Sequence, residues 1–419
     1  MSRSQPSFVP ISCLITALLL GGLNHHSAVQ AQNWTRFRGE NGAGLSDLKG
    51  IPLDWSESDY AWTFEPEHVG HSSPVVWEKS VFITSASEGG TERFVHCLDA
   101  DSGKERWKVS LGFAVSEKHQ KNSWASSTPT TDGERVYAIF SDDQSQIVTA
   151  WDFQGKEVWH RDLGPFGHDH GQGVSPIVSN GLLIVPNDQP GPSSLLALDA
   201  NTGNTVWNVE RPVAKTSFST PMLLPGRGQE IQLISLSEAA GLTSHDLMSG
   251  KLNWQSPAMP MRTVASPVVS EGLLIAFCGT AGNGKYLMAV NSKIDASGDS
   301  RIVFERKTQL PYVPTPIAVD ELLFLWGDAG LLVCLEMPTG RELWAKRIAN
   351  ATFSSSPVYI DGHLYGVSED GEVFIVKAAR DYELAGRVSL GQPCHATPAV
   401  ANGHLYLRTF HKLFALKAR

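Results

Sequence analysis

A glycine-rich segment at residues 165–173 (PFGHDHGQG) contains the side chains best suited to chemistry. His168, Asp169 and His170 are consecutive there, and alternate residues of an extended chain point to the same side. Two imidazoles on one side of a loop are compatible with a metal site. The segment has two interpretations: a metal or ligand site built on His168 and His170, or a structured loop whose histidines hydrogen-bond to the backbone.

Further histidine, aromatic and basic side chains occur just before a series of prolines. With the segment above they give a candidate ligand- or partner-binding set: His71, Trp124, His168, Asp169, His170, Phe218, Arg262, Tyr312, Phe353 and His395. This mixture suits a protein segment, a glycan or a small anionic ligand. Acidic residues occupy loops expected on the same face: Asp142, Asp143, Asp188, Asp328, Glu369 and Asp370. A carboxylate site for Ca²⁺, which takes oxygen ligands, is therefore an alternative.

The elements that position these side chains form a repeat. A proline preceded by Ser or Thr and followed by apolar residues occurs at Pro74, Pro129, Pro176, Pro221, Pro267, Pro316, Pro357 and Pro398. After most of these prolines come a turn and further short apolar runs. Four short strands in each unit of this length are typical of a β-propeller blade. The sequence therefore predicts an all-β, eight-bladed propeller of four-stranded blades.

A tryptophan follows a glycine by four residues near the end of most repeats. The pairs are Gly103/Trp107, Gly155/Trp159, Gly203/Trp207, Gly250/Trp254 and Gly340/Trp344. Glycine suits the turn before the last strand, and the indole ring can cover the neighbouring blade. We interpret these tryptophans, with Trp62, as packing residues between blades. Blade five has Phe304 at this position, and blade seven (DYELA, 381–385) has neither residue.

The two ends of the chain are predicted to share the last blade. The eighth repeat ends at Arg419 after its third strand, and residues 59–64 (DYAWTF) supply a fourth strand that carries Trp62. Closing the ring in this way removes exposed sheet edges. We therefore assign residues 59–419 to a single propeller domain and residues 32–58 to an N-terminal lead-in.

The repeats resemble those of the pyrroloquinoline quinone (PQQ)-like, or quinoprotein-dehydrogenase-like, propeller family, which includes BamB-like outer-membrane assembly propellers. The runs LDADSGKERW (98–107) and LDANTGNTVW (198–207) carry the resemblance, together with the opening WTRFRG (34–39). It implies one of two functions. One is a binding or scaffold module without a cofactor, in cell-envelope protein assembly. The other is an oxidoreductase that uses PQQ with Ca²⁺, or another metal, on an alcohol or sugar.

Two features favour the binding module over the enzyme. Dehydrogenases of this family usually have adjacent cysteines above the quinone and extra loops, whereas this chain has no Cys-Cys pair and short blades. The four cysteines after residue 31 are widely spaced, and we predict free buried thiols at Cys97, Cys278, Cys334 and Cys394. We therefore expect no cofactor, and we assign no catalytic residue.

The first 31 residues have the features of a secretory signal. Arg3 precedes an apolar run at 11–23, and small residues lie just before Gln32. We predict export to the periplasm or beyond the cell, with no integral span after cleavage; an uncleaved anchor is the alternative. The formal charge of −9 argues against a nucleic-acid partner, and the 42% hydrophobic content excludes a disordered chain. A closed propeller is expected to be a monomer.

Overall fold

The computed structural model describes Met1 and residues 33–168, 170–212, 215–226, 228–292 and 302–419. The rest of the predicted signal lies outside these ranges. Eight sheets fill the described part of the chain, and the predicted eight-bladed propeller is confirmed. No α-helix occurs in the described ranges, which contain three short 3-10 helices: Glu40–Gly42, Glu57–Asp59 and Glu88–Gly90.

Two strands precede the first repeat: β1 (Leu45–Ser46) and β2 (Tyr60–Phe64). Blade one contains β3 (Val75–Trp77), β4 (Ser80–Ala86), β5 (Glu92–Asp99) and β6 (Glu105–Gly112). Blade two contains β7 (Thr130–Thr131), β8 (Arg135–Ser141), β9 (Gln146–Asp152) and β10 (Glu157–Asp162). Blade three contains β11 (Ile177–Ser179), β12 (Leu182–Asn187), β13 (Ser193–Asp199) and β14 (Thr205–Arg211). Blade four contains β15 (Met222–Pro225), β16 (Ile231–Ser237), β17 (Gly241–Asp246) and β18 (Leu252–Gln255).

Blade five contains β19 (Val268–Ser270), β20 (Leu273–Thr280), β21 (Asn283–Asn291) and β22 (Ile302–Arg306). Blade six contains β23 (Ile317–Val319), β24 (Leu322–Trp326), β25 (Leu331–Glu336) and β26 (Arg341–Arg347). Blade seven contains β27 (Val358–Ile360), β28 (His363–Val367), β29 (Glu372–Lys377) and β30 (Leu384–Ser389). Blade eight contains β31 (Ala399–Ala401), β32 (His404–Arg408) and β33 (Leu413–Lys417). Its fourth strand is β2, paired with β33, so the predicted closure by both chain ends is also confirmed.

The Ser or Thr before each proline builds a hydrogen-bonded ring around the central channel. In seven hydrogen bonds of 2.9–3.2 Å, the backbone N–H of one such residue donates to the hydroxyl of the equivalent Ser or Thr in the next blade. The last of them joins Thr397 of blade eight to Ser73 of blade one. These residues are buried, so an unpaired N–H there would be costly. The Ser/Thr-Pro signal therefore specifies contacts between blades.

Replacing Ser266 with alanine is expected to lower the free energy of unfolding by about 1–3 kcal/mol. The hydroxyl of Ser266 accepts the buried N–H of Thr220 at 3.0 Å, and alanine leaves that donor without an acceptor. Urea denaturation at neutral pH measures the loss. Ser266→Thr keeps the hydroxyl and serves as the control, with stability close to that of the unmodified chain. A similar loss in both variants would contradict this role of the ring.

The same packing contact is repeated between most blades: an aromatic ring of one blade covers a glycine of the next. A Cβ atom at Gly103 would lie 2.5 Å from the ring of Trp62, and one at Gly203 would lie 2.6 Å from that of Trp159. A Cβ atom at Gly155 would likewise lie against the ring of Trp107, and one at Gly250 against that of Trp207. In blade five, Phe304 takes this place and contacts Gly340, with a Cβ distance of 2.6 Å.

The remaining packing tryptophans vary this arrangement. The indole N–H of Trp254 donates to the side-chain oxygen of Gln232 at 3.4 Å, and that of Trp344 donates to the carbonyl of Ala379. The ring of Trp344 also contacts Tyr382 edge to face, with centroids 5.4 Å apart. The rings of Trp254 and Trp344 also belong to apolar clusters shared with the next blade, so all six tryptophans lie between neighbouring blades. The four cysteines of the described residues are free and buried, as predicted.

Blade seven departs from the pattern because the lead-in fills the tryptophan's place. Gly386 pairs with Ile375 at the register where other blades have Trp, followed by the same β-bulge. A Cβ atom on Gly386 would lie 2.2 Å from the carbonyl oxygen of Leu53. Ile51 and Trp55 on either side are 7% exposed and join the core shared by blades seven, eight and one. The lead-in therefore seals the seam beside the closing blade.

The earlier part of the lead-in passes through the channel and pairs with the inner strands. Trp34 exchanges backbone hydrogen bonds with Val76 of blade one, and the carbonyl of Thr35 accepts the N–H of Thr131 in blade two. Strand β1 then runs parallel to β27 of blade seven. Inner strands have one free edge, and these contacts satisfy several of their backbone groups.

Two arginines of the lead-in lie buried in the channel, and no carboxylate in the described part of the chain pairs with them. Arg38 is 1% exposed and donates to the carbonyls of Pro316 and Pro357, at 3.0 and 3.4 Å. Arg36 is 6% exposed and donates to the carbonyl of Pro221. Burial lowers the pKa of both guanidinium groups to about 9. They remain charged at neutral pH, held by carbonyl oxygens at the start of inner strands.

Candidate functional site

The segments before the eight prolines gather at one end of the channel, here named the mouth face. The segment between β6 and β7 extends over this face to blades seven and eight, which are distant in sequence. The ammonium of Lys121 lies 2.8 Å from the Glu369 carboxylate of blade seven. The ring of His395, which precedes blade eight, lies 3.0 Å through Nδ1 from the carbonyl oxygen of Lys121. Residues around Lys121 therefore form a bridge over part of the mouth.

The same segment also contacts the glycine-rich segment before blade three. The rings of His119 and His170 stack with centroids 5.0 Å apart and planes inclined by 20°. The side-chain amide of Asn122 donates to the carbonyls of His170 and Gln172, at 2.6 and 3.2 Å. The two longest mouth segments thus hold one another, and His170 is a contact point between them.

His170, Phe218, Arg262 and Tyr312 come together as the sequence suggested. Nη1 of Arg262 lies 2.9 Å from both ring nitrogens of His170, and the ring of Phe218 meets His170 edge to face at 6.4 Å. Burial raises the pKa of Tyr312, and a hydrogen bond with Arg262 opposes that shift. Arg262 and Tyr312 are each 9% exposed. This cluster is a polar, cationic wall of the mouth.

His71 and Trp124 line a cavity of about 440 Å³ in the second part of the face, and His395 packs behind it against His71 and Phe410. The ring of His71 stacks on Phe410 at 4.5 Å and meets His395 edge to face at 4.6 Å. The wall opposite contains Trp124, whose ring lies 4.8 Å from the ammonium of Lys118. Aromatic faces beside an ammonium group suit an anionic or aromatic side chain of a partner.

His168 and His170 contact different parts of the protein. Its side chain is 4% exposed, with Nε2 3.3 Å from the Asp143 carboxylate and Nδ1 accepting the N–H of Gly171 at 3.0 Å. Asp169 lies outside the described residues. Within the described ranges, no group of three or more His, Cys, Asp or Glu side chains is arranged to hold a metal ion. His168 orders the loop, while His170 contacts Arg262.

Phe353 lies in the core rather than at the mouth. It is 1% exposed and packs edge to face on Trp326 and Phe374, at 5.8 and 5.7 Å. Its position before Pro357 suggested a mouth residue, but its ring turns inward between blades six and seven. The position in a repeat thus fixes the backbone location and leaves the side-chain direction to local packing.

Several acidic side chains of the mouth already accept hydrogen bonds from the protein. Asp328 accepts the N–H groups of Tyr312 and Val313, at 2.6 and 3.0 Å, and burial raises the pKa of Asp328 to about 6. Asp142 accepts the N–H groups of Ala114, Gln144 and Ser145. Glu369 is held by Lys121, Thr352 and Ser354. Asp188 pairs with Arg211 at 2.9 Å. Four of the six acidic residues named for this face are thus engaged by groups of the protein itself, which disfavours a Ca²⁺ site built on them.

His71 is expected to make the protein less stable in acid. Burial lowers its pKa well below the usual value, and the charges of His395, Arg408 and Lys118 add to the shift, against the carbonyl of Lys121. Unfolding then takes up a proton below about pH 6.5, so stability present above that pH is lost as the pH falls. His71→Phe should reduce the loss between pH 7.5 and 5.0 by up to about 2 kcal/mol.

Urea denaturation at the two pH values measures this effect. His411→Gln, at an exposed position, serves as the control and should leave the difference between the two pH values unchanged. An equal acid loss in His71→Phe and the unmodified chain would show that His71 does not carry the pH dependence.

Sequence reasoning missed several residues that complete this face. Lys118, His119 and Lys121 lie in a polar stretch with no period, and Phe410 lies in a hairpin turn of blade eight. One available signal was the length of the segment between β6 and β7, which exceeds that of most other blade connections. A long connection of this kind often carries function.

Comparison with known proteins places the chain in a family. A family model described as "Outer membrane protein assembly factor BamB" matches residues 53–148, 91–325 and 312–385. The chain belongs to this BamB family. The outer membrane protein assembly factor BamB of Yersinia pestis is 22% identical over 317 residues, which cover 71% of this chain and 74% of that protein.

Solved structures show the same fold for members of the BamB family and for quinone enzymes. BamB from Moraxella catarrhalis has a TM-score of 0.61 and 16% identity, covering 88% of this chain and 97% of that one. Quinohemoprotein alcohol dehydrogenase from Comamonas testosteroni has a TM-score of 0.63 and 12% identity, covering 92% and 80%. In the described residues of this family member, no helix is long and apolar enough to span a membrane.

Proposed function

We propose that this chain is an exported binding module that takes part in outer-membrane protein assembly and holds a protein segment at its mouth face. The observation that carries the assembly role is the family match, which extends from residue 53 to residue 385. The similarity to the Yersinia pestis assembly factor covers most of both chains and supports the same role.

The mouth face supports the choice of a protein segment as the ligand. Its cavity places the rings of His71, Trp124 and Phe410 beside the ammonium of Lys118. Extended segments and loops bind well where a few half-buried aromatic and charged groups surround a pocket. A glycan or a small anionic ligand would use the same groups. Competition by soluble glycans or anions, with no effect of partner peptides, would favour those occupants over the protein segment.

The assembly role can be tested in the source organism. Deleting the gene is expected to reduce the folded fraction of outer-membrane β-barrel proteins, measured by their heat-dependent migration in gels. Lys118→Glu reverses a charge in the mouth cavity and should fail to restore assembly. Lys79→Glu, at an exposed hairpin where Lys79 pairs with Asp101, is the matched control and should restore it. Normal barrel assembly in the deletion strain would refute the proposal.

We also propose that the module works without quinone or calcium. The support is that Asp142, Asp328 and Glu369 already accept protein donors, and that the Lys121 bridge crosses part of the mouth. A titration of the purified protein with PQQ and Ca²⁺, followed by tryptophan fluorescence and dye-linked alcohol oxidation, is expected to show no saturation and no turnover. Saturable binding with turnover would instead establish the quinoprotein dehydrogenase alternative.

The export part of the proposal rests on the features of residues 1–31. Cell fractionation should find the protein outside the cytoplasm, and N-terminal sequencing should begin at Gln32. Recovery of the chain with its first residues intact in a membrane fraction would favour the uncleaved anchor. Size-exclusion chromatography with light scattering is expected to give the mass of a monomer.

A further inference from the structure

A second cavity, of about 700 Å³, opens at the end of the channel opposite the mouth face. The ends of β11 and β15 line it together with the lead-in, and it extends inward to Arg36. Cavities of this size hold small molecules and short peptide segments. The cavity shares no lining residue with the one at the mouth face.

Arg36 contributes an incompletely satisfied charge to this cavity. Its guanidinium donates one hydrogen bond, to the carbonyl of Pro221, and its Nε lies buried without an acceptor. No carboxylate of the described residues pairs with it, although the side chain is 6% exposed. A buried guanidinium usually has an anionic partner, and its planar fork matches a carboxylate. The cavity thus presents a cation that lacks its counter-charge.

A free strand edge borders the same cavity. In four blades the second residue after the proline bonds inward to the lead-in: Val76, Thr131, Leu223 and Tyr359. Val178 of β11 has the same register after Pro176 and lines the cavity. Among the described residues its inward N–H and carbonyl have no hydrogen-bond partner. An extended chain can pair with such an edge.

The rim of the cavity limits the charge of the ligand. Among the described lining residues, Glu40 and Glu230 lie near the solvent, while Asn33 and Gln229 add neutral amides. Two carboxylates at the entrance repel a free dianion such as phosphate. They are compatible with a single carboxylate carried on a neutral or cationic chain.

We propose that this cavity binds the carboxyl terminus of an extended peptide, with the terminal carboxylate on Arg36 and the backbone paired with Val178. The site is separate from the mouth face and does not depend on the assembly role. The rim carboxylates favour a basic side chain near the end of the peptide. Free small carboxylates share the terminal group but lack the backbone that pairs with the strand edge.

Saturation-transfer NMR on the full mature chain tests the site with acetyl-Ala-Lys-Ala as the free acid. The peptide is expected to bind saturably, and its C-terminal amide should bind at least tenfold more weakly. Acetate should compete only at much higher concentration, and inorganic phosphate should not compete. Equal binding of acid and amide, no binding of the acid, or competition by phosphate at the peptide's own concentration would overturn the proposal.

Two variants separate the site from the stability of the fold. Arg36→Gln should abolish the preference for the free acid. Val178→Pro removes the inward N–H at an edge position that tolerates proline, and should weaken the peptide at least fivefold while leaving Arg36 in place. Lys79→Glu, at an exposed hairpin position that lines neither cavity, is the control and should bind the peptide as the unmodified chain does. An unchanged acid preference in a folded Arg36→Gln protein, or an unchanged affinity for the peptide in a folded Val178→Pro protein, would refute the assignment.

Discussion

Replacing Trp62 with alanine is expected to lower the free energy of unfolding by about 3–5 kcal/mol and to loosen the closing blade. The indole N–H of Trp62 donates to the carbonyl of Ala100 at 2.8 Å, and the ring covers Gly103 of blade one. Strand β2 reaches blade eight only through its pairing with β33 and through contacts of this kind. Urea denaturation measures the loss.

Trp159→Ala is the matched control because the two tryptophans have the same surroundings. Both are 8% exposed, both donate to an alanine carbonyl, and both cover a glycine of the next blade. The loss of stability should be similar in the two variants. Hydrogen exchange of residues 45–64 should become fast in Trp62→Ala alone, since only that strand lacks a short covalent link to its blade. Equal exchange in both variants would show that Trp62 does not hold the closure.

Replacing Gly386 with valine is expected to destabilise the protein by roughly 3 kcal/mol. The new Cβ would lie 2.2 Å from the carbonyl oxygen of Leu53, so the lead-in would have to move away from blade seven. That movement would expose Ile51 and Trp55, which are buried at the seam. Thermal denaturation measures the effect, and faster hydrogen exchange of residues 49–56 should accompany it.

Gly112→Val provides the control on another outer strand. Gly112 ends β6, is exposed, and has no atom within 4 Å of a built Cβ. Valine suits a strand, so the change in stability should stay within about 0.5 kcal/mol. If both valine variants lose the same stability, the effect belongs to strand glycines in general and not to the contact with Leu53.

The repeat could be predicted from the sequence because each of its signals has a local cause. Proline starts an inner strand, Ser or Thr before it joins the ring of hydroxyls, and the glycine leaves room for an aromatic ring. Phe304 could be aligned as the substitute in blade five for the same reason. Blade seven could not be explained in this way. Its missing tryptophan is replaced by Leu53 and its neighbours, far away in the sequence.

The candidate site was predictable in part. The set before the prolines did bring His170, Phe218, Arg262 and Tyr312 together, because equivalent positions of neighbouring blades meet at one face. Phe353 belongs to the same series and lies in the core instead, since nothing in the spacing fixes side-chain direction. The bridge through Lys121 depends on a single long segment, and its contacts with Glu369 and His395 have no repeat to reveal them.

The path of the lead-in could not be predicted, because its contacts are not periodic. Arg36 and Arg38 donate to backbone carbonyls, which every residue has whatever its side chain. The sequence of the partner strand therefore does not indicate these contacts. Nothing in WTRFRG itself shows that its two arginines are buried, because their burial depends on the channel around them. It could therefore not be predicted from the sequence.

The pairing of β2 with β33 has a consequence for the timing of folding. Tyr60 aligns with Leu416, so the first strand of the propeller finds its partner only after almost the whole chain has been made. A contact between such distant positions forms late, because the chain must first lose the entropy of closing a long loop before the contact stabilises it. During synthesis, β2 therefore has no partner strand until β33 has followed it. The ring is thus completed in one final step, and a nascent chain that stops before β33 keeps an open seam.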